Sequence, residues 1–509
     1  MSTEEKHTPA LMPTPKSSIT IDQLPGEILD HIFALSLPTK KDPNTFNPDL
    51  KKSPLLLGRV CRVWRERSLA NHHLWTAIHV VVAPQDRESQ HLDSRCEGIS
   101  AWLGRSGSLP LSIILESSTQ QADEALIPLL ETVMPFAPRW KHFLVSFDTS
   151  SLQVFDHLSV DHSFSRLESL VIKYQWKFPN LLEDNFQLWS FHNARILTNA
   201  PCLRSVSLYH CTASNIAEHF SCLTQLTIDG FSHLDGAIAL SILRRCPELR
   251  MCSLALADTA HSFTPNENST ETDSTDPVHL MHLARFRVKS SQMHPGYDEF
   301  FRGLILPNLT QFEFKSDLLH DLEALPFIPT LSESNCPLEE LILVAPLDDD
   351  ARLIKCLELV PTLQNLTITD TAGHGPSARP TLRDDALIRC LTVPPVKKVF
   401  HILCPQLRIL RLQTGVFSPN AVMRMIKSRW RPVCKDVAEL QHVAIRFESR
   451  APAERATEEE FAVMRAEGLD LRTFHGVLWS TPLRHNTWGT WEDDDEDSST
   501  PLERWNLRR

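Results

Sequence analysis

Pro361-Thr-Leu-Gln-Asn-Leu-Thr-Ile368 is one copy of a pattern that governs most of the chain. Leu366 and Ile368 are two residues apart, the period of a β-strand, so they share one face while Thr367 between them takes the other. Leu363 precedes them by three residues. The same Leu-x-x-Leu-x-Leu spacing, with apolar substitutions, starts at Trp140, Leu167, Leu203, Leu223, Leu249, Leu283, Leu309, Leu338, Leu363, Leu407 and Leu440. These eleven copies lie mostly 20 to 36 residues apart, close to the roughly 20–29 of leucine-rich repeats. One copy cannot shield its own apolar face, so neighbours have to stack into a continuous core.

Proline stands just before the unit at positions 201, 247, 307, 337, 361 and 405, where it ends the preceding helix and turns the chain into the strand. Cys246, Cys336 and Cys404 precede three of these prolines. A small residue recurring at one structural position reads as packing and not as a metal ligand. Upstream, Thr76-Ala-Ile-His-Val-Val-Val82 and Pro110-Leu-Ser-Ile-Ile-Leu115 read as strands, with helices expected over 94–107 and 121–135. Downstream, helices are expected over 384–390, over 418–430 with Ser418 as N-cap and Pro419 as first residue, and over 457–465.

The head of the chain is of another kind. In Ile19-Thr-Ile-Asp-Gln-Leu-Pro-Gly-Glu-Ile-Leu-Asp-His-Ile-Phe33, Leu24, Ile28 and Ile32 recur every fourth residue, with Pro25, Leu29 and Phe33 one step behind. That spacing predicts an amphipathic helix with Pro25 in its first turn. Leu57, Val60, Cys61 and Trp64 form a second apolar stripe, and Leu74-Trp75 closes the segment. Two or three short helices cannot bury this much apolar surface alone, so a partner protein is the expected cover.

Leu24-Pro25-x-Glu27-Ile28-Leu29-x-x-Ile32-Phe33, then Val60-Cys61-Arg62-x-Trp64-Arg65, then Leu74-Trp75 resembles the F-box, the module that docks a Skp-family adaptor in cullin–RING ubiquitin ligases. The insert from Leu37 to Pro54, rich in proline and turn residues, resembles the version common in mushroom-forming fungi. The repeats resemble the irregular leucine-rich solenoid that often follows an F-box. This resemblance implies an α/β chain: a small helical F-box over 19–80 followed by a leucine-rich-repeat horseshoe over 81–480. It also implies a substrate-recognition subunit of a Skp–cullin–F-box ligase, with no catalytic residue of its own. Leu24, Pro25, Ile28, Leu29, Val60, Cys61 and Trp64 are then the adaptor-binding candidates. The rival reading is a scaffold that uses the same surfaces without delivering a target for degradation.

The target-binding candidates come from the polar positions of the expected strands: Ser205, Ser207, Gln225, Thr227, Gln311, Glu313, Gln364, Thr367, Arg408 and Arg411. Their mixed signs and many hydrogen-bonding groups suit a protein surface or peptide, not a phosphate backbone. The net charge of −12 in 509 residues argues against general binding to nucleic acid or anionic membrane. No run of about 18 apolar residues is present to span a membrane. Residues 1–18 lack the apolar core of a secretory signal. The twelve cysteines form no C-x-x-C pair, so a reducing compartment, cytoplasm or nucleus, is expected. Residues 1–18, the acidic insert 258–277 and the acidic tail 481–509 read as disordered. Nucleotide-binding, serine-hydrolase and zinc-protease signatures are absent, and no cofactor or metal is expected.

Overall fold

The computed structural model describes residues 24–37, 48–82, 89–117, 126–147, 162–174, 195–209, 220–229, 234–256, 276–290, 296–316, 325–345, 347, 350–370, 385–394, 402–413, 417–432, 434–447 and 455–475. Residues 1–18, the tail 481–509, most of the insert 258–277 and the middle of the insert after Leu37 lie outside the described residues.

The described strands are β1 (Ala77–Val82), β2 (Leu111–Ser117), β3 (Trp140–Phe147), β4 (Ser169–Tyr174), β5 (Ser205–Tyr209), β6 (Gln225–Asp229), β7 (Met251–Leu256), β8 (Val278–His279), β9 (Arg285–Ser290), β10 (Leu304–Ile305), β11 (Gln311–Ser316), β12 (Glu340–Ala345), β13 (Asn365–Asp370), β14 (Ile409–Leu412), β15 (His442–Phe447) and β16 (Asp470–His475). All but β8 and β10, which pair with each other, form one 14-stranded sheet in chain order. Every pairing is parallel, and the sheet does not close on itself.

The register follows from the repeat. Phe143, Leu170, Val206, Leu226, Cys252, Phe286, Phe312, Leu341, Leu366, Leu410 and Val443 align as one continuous buried rung. A one-residue slip at any strand would turn its apolar pair to the other face, which fixes the stacking. The leading leucine of each unit is also buried, and its N–H closes a turn, as in Leu249 N to Cys246 O (3.3 Å) and Leu363 N to Val360 O (3.1 Å). Pro247 and Pro361 are the second residues of those turns, where a fixed φ suits the geometry. The next residue forms a ladder of its own, with Glu339 N bonded to Thr310 O, Gln364 N to Glu339 O and Arg408 N to Gln364 O.

Helices return the chain behind the sheet, among them Ser89–Arg105, Leu126–Val133, Gly236–Arg244, Asp350–Glu358, Pro419–Trp430 and Arg455–Ala466. One apolar core runs without a break from Phe33 to Leu471. The fold is therefore mixed α/β around a large parallel sheet. Ser418 occupies the expected N-cap of Pro419–Trp430, but its hydroxyl makes no capping bond; its N–H is bound instead by Asp385 (2.9 Å). Cys246, Cys336 and Cys404 are buried beneath the turns, and burial pushes the thiols of Cys246 and Cys404 up to about 12. Protonated at neutral pH, they act as small apolar fillers.

Arg429, on the buried face of Pro419–Trp430, is 0% exposed. It donates to the carbonyls of Leu391 (2.5 Å), Leu403 (2.5 Å) and Cys404 (2.9 Å). Leu391 ends the preceding helix and Cys404 (φ 46°) opens the turn into β14, so one guanidinium joins three chain segments. No described helix is long and apolar enough to cross a membrane.

Candidate functional site

Helix α1 (Gly26–Leu35) begins one residue later than expected, with Pro25 as its N-cap and the Pro25 carbonyl accepting from Ile28 N and Leu29 N. Leu29 and Phe33 face inward, 3% and 0% exposed. The second stripe is not one helix. Leu57–Arg59 forms a 3-10 turn, the chain is extended at Cys61 (φ −154°), and helix α2 (Arg62–Ala70) starts after it. Cys61 caps α2, its Sγ accepting from Trp64 N at 3.4 Å. Trp64 packs on Phe33 with ring centroids 5.0 Å apart. Leu74 and Trp75 are buried; Trp75 meets Trp102 edge-on at 4.9 Å and donates to Ser68 O at 2.8 Å. These contacts fasten the head to the first helix behind the sheet.

Its exposed surface is rich in large apolar side chains. Of the ten large apolar side chains exposed among the described residues, seven fall within 28–69: Ile28, Leu35, Leu50, Leu56, Val60, Val63 and Leu69. Scattered exposed apolar residues are ordinary, but a cluster on one small unit marks an interaction surface. Ile28 and Val60 are about half exposed, at 49% and 55%, Pro25 is exposed, and Leu24 is half-buried. Among the seven adaptor-binding candidates, Leu29 is therefore corrected to an internal core residue. Cys61 and Trp64 are half-buried and serve the junction between α1 and α2. Sequence reasoning missed Leu35, Leu50, Leu56, Val63 and Leu69 as surface. Leu50 and Leu56 lie in or beside the insert, where no helical period marks a face.

The second candidate surface is the sheet face turned away from the helices. Ser205, Ser207, Gln225, Thr227, Gln311 and Glu313 lie half-buried on strands β5, β6 and β11, at positions that alternate with the inward rung. Thr367 and Arg411 occupy the same row but are only 1% and 8% exposed, because side chains on adjacent strands shield them. Gln364 and Arg408 are corrections: they belong to the turn ladder before β13 and β14, and Asn365 and Ile409 hold the open-face positions there. On β2, β3 and β4 the row is apolar, Ile114, Leu144 and Val171, and forms a separate buried cluster with Tyr209.

Charge on this face is organised in cross-strand clusters. His79 Nε2 donates to Glu116 (3.2 Å) and Lys173 Nζ pairs with its other oxygen (3.1 Å), so one carboxylate ties β1, β2 and β4 together. Lys289 pairs with Asp229 at 2.6 Å, and Arg287 with Glu313. Burial pushes the Glu116 carboxyl up, but the hydrogen bond from His79 and the charge of Lys173 outweigh it and hold it below its ordinary value. A depressed carboxyl contributes stability above its unfolded pKa and loses it as pH falls through the folded one. Glu116→Gln is accordingly expected to unfold more easily than wild type at pH 7. The gap should narrow as pH falls below the ordinary carboxylate range, as read by urea unfolding across pH.

Among the described residues, no group of three or more His, Cys, Asp or Glu side chains could hold a metal. No protein-family model matches the chain, and comparison with curated proteins gives no match.

Proposed function

We propose that this chain is the substrate-recruiting subunit of a Skp–cullin–F-box ubiquitin ligase, with the head as F-box and the parallel sheet as one wall of a leucine-rich-repeat solenoid. The observation that carries the proposal is the concentration of exposed apolar side chains on the head, Ile28 and Val60 among them, while Leu29 and Phe33 of the same helix are buried. A segment whose inner side chains are already buried and which still exposes this many large apolar groups needs a partner to cover them. The motif order resembles the module whose partner is a Skp-family adaptor. Catalysis in this reading is by proximity: the head docks on the adaptor, the open face of the sheet holds a target, and a RING-bound conjugating enzyme carries out the transfer. The protein then works in the cytoplasm or nucleus.

The test is co-elution of the full chain with a purified Skp-family adaptor on size exclusion. A 1:1 peak that then recruits cullin supports the reading. Separate elution at micromolar concentrations would remove it. A stable complex whose loss in cells causes no protein to accumulate would favour the non-degradative scaffold.

A further inference from the structure

Two exposed cysteines occupy one structural position on neighbouring turns. Leu203 N closes its turn on Ala200 O and Leu223 N closes the next on Phe220 O, each at 3.0 Å, so Cys202 and Cys222 are both the third residue of a four-residue turn. The turns lead into β5 and β6, which pair with Ser205 opposite Gln225 and Val206 opposite Leu226. The cysteines are separated by the same number of residues as those pairs, so the register sets one beside the other. The stacking already holds at Arg204, whose carbonyl accepts from Thr224 N (2.9 Å) and Gln225 N (3.0 Å). The two cysteine backbones are therefore one strand spacing apart, about 4.8 Å.

Side chains at this position reach from one turn to the next. Glu248 and His282 hold it before β7 and β9 and lie 3.8 Å apart, and Asn308 holds it before β11 and donates to Met281 O at 2.7 Å. Cys202 and Cys222 are free thiols, and Cys222 Sγ has the Ser221 hydroxyl 3.9 Å away. Cys246, Cys252, Cys356 and Cys404 differ, because burial pushes their thiols up and keeps them protonated and inert.

We propose that Cys202 and Cys222 bind one soft monovalent cation, Cu(I), as a two-thiolate site bridging the turns before β5 and β6. A disulfide wants its Cβ atoms about 3.8 Å apart, closer than parallel side chains one strand spacing from each other. The pair is spaced instead for an atom held between the sulfurs. Soft thiolates select Cu(I), which two ligands in line satisfy, whereas structural Zn(II) takes four. The next residue in the row, Glu248, is engaged by His282, and among the described residues no group of three His, Cys, Asp or Glu side chains could hold a metal. Each thiol releases its proton and its sulfur forms one bond to copper, so one Cu(I) replaces two protons and no electron is transferred. The site lies at the edge of the open face and is independent of adaptor docking.

The test titrates the full chain, reduced and kept free of oxygen, into the coloured Cu(I)–bicinchoninate complex and follows the loss of colour as copper is withdrawn. Cys202→Ser and Cys222→Ser should each withdraw the first equivalent at least about tenfold more weakly than wild type, because losing one of two linked ligands forfeits the effective concentration of the other. Both side chains are exposed, so far-UV circular dichroism of these variants should match wild type. Cys390→Ser, an exposed cysteine on the helix Ala386–Leu391, should withdraw copper as wild type does. X-ray absorption at the copper edge of the wild-type complex with one equivalent should show two sulfur neighbours. Equal withdrawal by wild type and the Cys202→Ser/Cys222→Ser double variant would overturn the proposal, as would three or more sulfur neighbours, or displacement of the copper by equimolar Zn(II).

Discussion

Arg429→Met is expected to loosen the last third of the sheet by at least about 3 kcal/mol, because three buried carbonyls lose their donor at once. The methionine keeps the apolar stem but abandons the carbonyls of Leu391, Leu403 and Cys404, three acceptors in a site from which water is excluded. Each acceptor left unmade costs about 1–3 kcal/mol. Burial pushes the guanidinium down to about 10, so it remains charged at neutral pH and each of its bonds is charge-assisted. Stacked repeats unfold regionally, which makes one melting temperature a poor measure. Amide exchange is the better readout: protection should fall over 385–447 and hold over 111–147. Arg429→Lys, with a charge but no fork, should recover part of the loss. Unchanged exchange in the methionine variant would mean that the three bonds contribute nothing net.

Ile28→Glu and Val60→Glu are expected to weaken adaptor capture at least a hundredfold while leaving the fold as it is. Both side chains are about half exposed and lie on the outer side of the head, so a carboxylate at either site remains solvated in the free protein. In a complex it would have to be desolvated where an apolar group contributes about 1.5–3 kcal/mol. Leu29→Ala is the contrasting case. At 3% exposure it is expected to destabilise by about 2–5 kcal/mol, the range for emptying a core position. Its effect on capture would then follow from unfolding. Far-UV circular dichroism alongside surface plasmon resonance separates the two outcomes. Capture retained by both glutamate variants would exclude this side of the head as the docking surface.

These contrasts show where sequence is informative. All eleven copies of the repeat lie on strands of the sheet, because a strand period tied to a leading leucine and a turn proline encodes position, face and stacking together. β16 escaped notice because Gly468 and Thr473 stand where the pattern requires its first and last apolar residues. Gln364 and Arg408 were misplaced because each lies one residue before its strand, and the boundary between turn and strand has no marker in residue type. The head posed a harder problem. α1 is apolar on more than one side, and periodicity lists both stripes without saying which meets its own core. Only the folded arrangement, in which α1 meets α2 and the turn His72–Trp75, leaves Leu29 buried and Ile28 exposed.

The most direct measurement of the central claim is a hydrogen-exchange footprint of the full chain with and without saturating Skp-family adaptor. New protection confined to 24–37 and 48–70, with the sheet unchanged, is the expected result. Protection that appears on the open face of the sheet instead, or nowhere, would contradict the assignment of the exposed apolar head as the docking surface.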